Sequence, residues 1–283
     1  MVSITAAEIK AAVAALAIAA NYDLSPDIYQ CLKESLKEEK SPTGCDILKQ
    51  LIENADIATA ERVPICQDCG LAVVFAEVGQ DVHIVGDFEE AINAGVIQGY
   101  DEGYLRKSTC TALTRENFGN NAPAIIHTKL VAGESIKLTL APKGGGSENM
   151  SALKMLPPAA GRKGLVDFVV ETVRAAGPNP CPPIVIGVGI GGNFEKVALL
   201  AKEALLREIG SRNPEPVMAD IEEEIYRKVN ALGIGPGGFG GSTTALAVFV
   251  NSAPCHIASL PVAININCHA ARHKSVILGG KDE

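Results

Sequence analysis

Eight cysteines are spread through the 283 residues: Cys31, Cys45, Cys66, Cys69, Cys110, Cys181, Cys255 and Cys268. Three of them stand among turn residues beside apolar runs. Cys66 lies in Pro64-Ile65-Cys66-Gln67-Asp68-Cys69-Gly70, just before a predicted strand. Cys181 lies in Asn179-Pro180-Cys181-Pro182-Pro183, also before a strand, and Cys268 follows one in Asn265-Ile266-Asn267-Cys268-His269. Functional residues gather on such loops because the scaffold holds them without burying them. The alternative, a thiol acting as a small buried apolar group, suits Cys31, Cys45 and Cys110. It suits Cys181 poorly, because prolines on both sides stiffen its loop. Cys66 and Cys69 form C-x-x-C, the spacing of a redox dithiol or of half a zinc site, although no second close pair follows. Taken singly, Cys66, Cys181 and Cys268 are the number of thiolates that hold three corners of a [4Fe–4S] cluster. The fourth iron is then open as a Lewis acid toward a substrate oxygen. Spacing alone leaves these readings open.

A second pattern points elsewhere. Gly187-Val188-Gly189-Ile190-Gly191-Gly192 satisfies G-x-G-x-x-G between a predicted strand and helix, the arrangement of a dinucleotide site. An NAD-binding oxidoreductase is therefore an alternative. Such a site also needs a second strand ending in an acid about twenty residues on. Here Glu208–Pro214 leads into another helical stretch, so the pattern reads as a tight strand-to-helix turn.

The elements that must position these residues follow from periodicity. Helices are predicted at Ala6–Ala20, from a Ser25 cap through Glu38, and at Asp46–Ile57 after a Ser41–Gly44 turn. A strand follows at Leu71–Val78, then helices at Asp87–Ala94 and Glu102–Thr111. Ala124–Val131 and Ser135–Ala141 are β-branched runs with a hairpin-like Ala132-Gly133-Glu134 between them. The second half reads as helix Leu165–Ala176, strand Ile184–Val188, and helices Phe194–Ile209 and Ala219–Leu232. Strands Thr244–Val250 and Leu260–Ile266 complete it. The fold class expected is α+β, a mixed sheet with packed helices. A single domain over residues 1–283, helical to about residue 60, is expected.

Composition narrows the function. With 25 Lys and Arg against 33 Asp and Glu, the net charge is −8, and aromatics make up 4% with no Trp. Neither a basic footprint nor a base-stacking platform is present, so a nucleic-acid partner is not expected. From Val229 to Ala271 the chain has no charged residue, but glycines and prolines interrupt the run before about twenty apolar residues accumulate. The apolar Ala11–Ala20 follows Glu8 and Lys10 and reads as a packed helix. We expect a cytoplasmic protein with reduced cysteines and no membrane partner.

Several longer motifs carry a family resemblance across essentially the whole chain. They are Cys66-Gln67-Asp68, Tyr104-Leu105-Arg106, Lys143-Gly144-Gly145-Gly146-Ser147-Glu148-Asn149, Ala175–Gly192, Gly233–Ser242 and Pro254–Arg272. With these the chain resembles the α subunit of the two-subunit, class I iron–sulfur fumarate hydratases. It also resembles their close relative, the L(+)-tartrate dehydratase α subunit. The resemblance implies a hydro-lyase whose [4Fe–4S] cluster is held by Cys66, Cys181 and Cys268. Asp68 would be catalytic with His256 as its partner. Gln67, Arg106 and the Gly144, Gly145 and Gly146 loop would bind the dicarboxylate. It further implies a separate β subunit, in an α2β2 assembly, that completes the site. Two positions depart from the family pattern: Cys69, usually Thr, and Cys255, usually Arg. Gly146–Met150 looks more like a fumarase than a tartrate dehydratase, which favours reversible dehydration of (S)-malate to fumarate.

Overall fold

The computed structural model describes residues 2–280. In chain order the elements are β1 (Val2–Thr5), α1 (Ala6–Tyr22), α2 (Pro26–Glu38), α3 (Pro42–Glu61), β2 (Leu71–Gly79), β3 (Val82–Val85) and α4 (Phe88–Glu102). Then come β4 (Ile125–Val131), β5 (Ser135–Lys143), the short α5 (Gly145–Glu148), β6 (Ala152–Leu156) and α6 (Gly161–Ala176). The chain closes with β7 (Ile184–Gly192), α7 (Phe194–Ala204), α8 (Pro216–Asn230), β8 (Ala245–Cys255), β9 (Leu260–Asn267) and β10 (Lys274–Gly279). Helices and mixed sheets make this the expected α+β class. The described residues divide into two compact units: residues 2–24, 55–145 and 272–280, and residues 25–54 and 146–271.

The first unit is built on a four-stranded sheet in the order β10-β5-β2-β4, with β1 and β3 pairing separately in parallel. Helix α1 starts at a reciprocal capping box. Thr5 Oγ1 accepts from Glu8 N–H at 3.2 Å, and Glu8 Oε2 accepts from Thr5 N–H at 2.7 Å. Helix α4 packs closely on α1 through Gly95 and Gly99. A Cβ at either would lie 2.6 Å from a carbonyl of α1. Ile9, Val13, Val74, Ile92, Val96, Tyr100, Leu138 and Leu140 form the core between helices and sheet.

Two expectations fail in this unit. The β4 and β5 runs do not form a hairpin, because β2 lies between them, parallel to β4 and antiparallel to β5. The Gly79-Gln80-Asp81 turn at the end of β2 occupies the place of the hairpin bonds, with Gln80 N–H on Val131 O and Asp81 N–H on Gly133 O. The stretch Glu102–Thr111 is not a helix beyond its first residue. Its backbone donors are taken by other partners: Ser108 and Thr109 N–H by Asn121 Oδ1, and Arg106 N–H by Cys69 Sγ.

In the second unit the sheet order is β6-β9-β7-β8, with β7 parallel to β8 and antiparallel to β9. Strands β7, β8 and β9 are covered on both faces and read as nearly continuous apolar runs without charge, whereas the edge strand β6 is partly exposed and carries Lys154. Ile184, Ile186, Val188 and Ile190 pack with Val166, Val169, Ile221 and Ile225 of α6 and α8. The alternate positions, Gly187 and Gly189, meet α7 on the opposite face. A Cβ at Gly187 would lie 2.1 Å from Ala201 O, and one at Gly189 the same distance from Val197 O. These glycines therefore belong to the strand and admit a helix backbone against it. The strand ends on Gly191 and Gly192, both at positive φ, and Asn193 then caps α7. The glycine pattern of the dinucleotide reading is thus explained by packing.

Boundaries move where a cap or a tertiary bond competes with periodicity. Helix α3 begins at Pro42, four residues early, with Gly44 N–H on Ser41 Oγ at 3.2 Å. Ser25 occupies the N-cap of α2 without a side-chain capping bond. Helix α7 stops at Ala204 instead of Ile209, and Arg207 reaches Glu222 at 2.5 Å.

Candidate functional site

In the first unit the loop Cys66–Gly70 enters β2 and is tied down at nearly every residue. Cys66 is half-buried, and its Sγ lies 3.3 Å from Gln67 Oε1 and accepts from Asp68 N–H at 3.4 Å. Gln67 is exposed. Both carboxylate oxygens of Asp68 accept backbone N–H groups: Oδ1 from Gly70 at 2.9 Å and Oδ2 from Gly145 at 2.7 Å. The second bond joins the cysteine loop to the glycine loop, 77 residues away in sequence. A Cβ at Gly144 would stand 3.0 Å from Asp68 Oδ2. Glycine at that position therefore allows the close approach. Gly70 has φ +72, and a Cβ there would fall 2.6 Å from Lys143 N.

The two thiols of the C-x-x-C pair have different environments. Cys69 is buried in the core, where its Sγ accepts from Arg106 N–H at 3.2 Å and lies 3.7 Å from Cys66 O. Burial pushes the Cys69 thiol above its ordinary value, against the Arg106 N–H bond and the Arg272 charge, which lower it. Cys69 is a core residue, and Cys66 is the more accessible thiol of the pair.

Arg106 has an exposed side chain, and its backbone is held by that bond to Cys69. The surrounding loop is fastened by Asn121, which is fully buried at φ +60 and donates from Nδ2 to Gly70 O at 3.1 Å. Asn121 Oδ1 accepts from Ser108 N–H at 2.6 Å. Tyr100 Oη donates to Cys69 O at 2.7 Å, and burial drives its phenol well above the ordinary range. One buried tyrosine and one buried asparagine thus set the backbone of both the Asp68 and the Arg106 loops.

Arg272 completes this group. It is only 5% exposed, and Nη2 donates to Asp68 O at 2.5 Å. Its Nε and Nη1 are buried with no acceptor. In the sequence Arg272 only closes the Pro254–Arg272 motif and carries no assigned role. The available signal was its position as the first charge after the long uncharged run.

In the second unit Cys181 is exposed and takes φ +56, a region disfavoured for a residue with a Cβ. Its carbonyl accepts from His269 N–H at 3.3 Å and lies 3.2 Å from His269 Nδ1. The segments of Cys181 and Cys268 are therefore neighbours, with Cys268 half-buried just past the end of β9. His256 is exposed in the β8–β9 turn, and its Nδ1 accepts from Ala258 N–H at 3.1 Å. That bond leaves Nε2 as the nitrogen able to exchange a proton with another group. Beside it, Cys255 Sγ lies 3.2 Å from Ser259 O. Gly146 opens this unit, and Glu148, two residues on, accepts from Lys202 Nζ at 2.6 Å and from Asn265 Nδ2 at 2.7 Å. Glu148 is thereby fixed to β9, at a residue three before Cys268.

Cys66, Cys181 and Cys268 lie on loops or at strand ends, and none of the eight cysteines forms a disulfide among the described residues. Among the described residues no three His, Cys, Asp or Glu side chains are grouped around a single-ion site. Ligands of an iron–sulfur cluster need no such grouping, because each thiolate takes its own iron. The donor chemistry fits a cluster, and so does the buried guanidinium. An unpaired positive charge in a protein interior is strongly unfavourable until an anion meets it.

The fumarate hydratase (fumerase) family model matches residues 10–277. A Methanocaldococcus jannaschii chain, provisionally named L(+)-tartrate dehydratase subunit alpha, is 45% identical over 256 residues. The match covers 88% of this chain and 90% of that one. The L(+)-tartrate dehydratase subunit alpha of Escherichia coli K12 is 30% identical over 256 residues, covering 89% of this chain and 84% of its own. Matched over nearly its whole length by the family model and by relatives of similar extent, the chain belongs to the fumarate hydratase family.

Proposed function

We propose that this hydro-lyase chain is an α subunit that dehydrates (S)-malate reversibly to fumarate, with Cys66, Cys181 and Cys268 as ligands of a [4Fe–4S] cluster. The observation that carries the reading is the bond from Gly145 N–H to Asp68 Oδ2 at 2.7 Å. It holds the Cys66-Gln67-Asp68 segment against the glycine loop, the two stretches assigned to the substrate by family resemblance. When bound, the cluster supplies a Lewis acid toward the substrate hydroxyl, which is otherwise a poor leaving group.

The chain's own residues do the rest. Asp68, with His256 as its partner, handles the proton that departs with the hydroxyl. Arg106 offers a planar guanidinium to one carboxylate in a two-pronged contact. Gln67 and the backbone of Gly144, Gly145 and Gly146 contact the dicarboxylate, and glycine leaves no Cβ between backbone and substrate. A β subunit supplies the catalytic base and the remaining carboxylate contacts, in an α2β2 assembly. The names of the relatives, each a "subunit alpha", support a second chain. Eight reduced cysteines suit a cytoplasmic setting. No helix among the described residues is long and apolar enough to cross a membrane. L(+)-tartrate is the second reading, favoured by the names of those same relatives.

The test is anaerobic purification, reconstitution with iron and sulfide, and EPR after mild oxidation. About four irons and four sulfides per chain, with a three-iron signal on oxidation, are expected for a cluster with one open corner. Adding the partner chain and assaying malate and tartrate then decides the substrate. No iron or sulfide uptake, alone or with the partner, overturns the cluster reading. Turnover of tartrate but not malate overturns the fumarase assignment.

A further inference from the structure

The Arg272 guanidinium has a pairing that the proposed function does not use. Its side chain is buried, 5% exposed, yet it forms no ion pair among the described residues. Only Nη2 is satisfied, by the carbonyl of Asp68, two residues after Cys66. Nε and Nη1 are buried without an acceptor. Leaving one such group unmet costs on the order of 1–3 kcal/mol, and more when it is charged. A guanidinium with two unpartnered nitrogens against the Cys66 loop calls for an anion there, with acceptors that can meet a planar fork.

Resting on the cluster reading above, we propose that Arg272 is the counter-cation of the iron–sulfur centre. Nη2 fixes the Asp68 carbonyl, and Nε and Nη1 donate to the thiolate and sulfide acceptors on the Cys66 side of the cluster. Three thiolates on a [4Fe–4S]2+ core carry a net charge of about −1, and one-electron reduction adds another. A fixed positive charge beside the centre favours the more negative, reduced form. Arg272 is a positioning residue: it holds the ligand loop and sets the charge around the cluster without requiring contact with substrate. A substrate carboxylate is the competing acceptor, but it would have to reach a side chain closed to solvent.

The test uses the anaerobic holoenzyme, this chain with its partner subunit, and does not read turnover alone. Wild type carrying 15N-arginine is reduced with dithionite and examined by pulsed EPR, beside Arg272→Lys and Arg272→Met. We expect a nitrogen coupling to the cluster in wild type that disappears in Arg272→Lys. At a fixed solution potential the reduced-to-oxidised ratio of the cluster should fall about tenfold or more in Arg272→Met, the scale of one lost charge at close range. Arg272→Lys, which keeps the charge, should stay nearer wild type. Full iron and sulfide in Arg272→Met with an unchanged ratio overturns the proposal. So does a rise in KM with the ratio unmoved, which assigns the guanidinium to the substrate. If Arg272→Met does not fold, absence of an arginine nitrogen coupling in wild type is itself decisive against it. A wild type that takes up no iron and sulfide defeats the cluster reading first, and is recognised before any variant is compared.

Discussion

At the scale of single residues, the C-x-x-C pair separates into two roles. Cys69 is enclosed by backbone of its own loop and of Arg106, and its thiol is pushed up by burial. Cys66 sits nearer the surface, with its sulfur beside the Gln67 amide. Cys66→Ser should therefore lose iron and sulfide on reconstitution, whereas Cys69→Thr should retain both. Equal iron loss in the two variants would remove this distinction. Asp68→Asn should keep the cluster spectrum while turnover drops by about 10²-fold or more, the usual scale for an acid–base group. Turnover close to wild type would take Asp68 out of the mechanism. The spectrum matters here because Asp68 also ties two loops through Gly70 and Gly145, so loss of activity alone does not separate chemistry from structure.

At the scale of elements, the functional loops are placed by tight backbone contacts and a few buried polar anchors. Gly189→Ala would put a Cβ 2.1 Å from Val197 O, forcing α7 away from β7. A loss of about 1–3 kcal/mol is the usual result of such overpacking, read as a lower midpoint in urea unfolding. An unchanged midpoint would show that α7 moves freely and that the glycine pattern needs another explanation. Tyr100→Phe would leave the Cys69 carbonyl without its 2.7 Å donor and should cost about 1–2 kcal/mol. These anchors were not legible from sequence. Nothing about Tyr100 or Asn121 in isolation marks them as the residues that meet the Cys69–Gly70 backbone 30 and 51 positions away.

At the scale of the whole molecule, pH and assembly are the levers. Glu39 is buried at 7% exposure and ties a distant loop: its carboxylate accepts Ser41, Ser242 and Thr243 N–H groups. Burial opposes its charge, yet those bonds prevail and bring it from 4.5 to about 2. Its contribution is thus fully present above its ordinary value and is lost as pH falls from about 4.5 toward 2. Glu39→Gln should destabilise the neutral protein by about 2–3 kcal/mol and flatten the loss of stability over that acid range. Equal acid sensitivity in variant and wild type would assign that loss to other carboxylates. Assembly works at the same scale. The chain alone should bind a cluster but turn over no dicarboxylate until its partner is added.

Residue order alone marks the candidate site residues and most of the elements. Strong periodicity and β-branched runs identify α1, α2, α6, α8, β2, β8 and β9, since their local patterns agree with what they bury. Cys66-Gln67-Asp68 and the Gly144–Gly146 loop were likewise recognisable as a set, because motifs are local. What lies between and beneath them follows from the three-dimensional packing. Insertion of β2 between β4 and β5 is a pairing choice that a turn signal cannot exclude. The unwound Glu102–Thr111 stretch follows from Asn121 and Cys69 capturing its donors. The G-x-G-x-x-G pattern proved to be packing, since its meaning depends on which backbone crosses it. Arg272 became informative only when its burial and its unmet N–H groups were seen together. A hydrogen bond left unmade is a property of three-dimensional surroundings and has no signature in residue order.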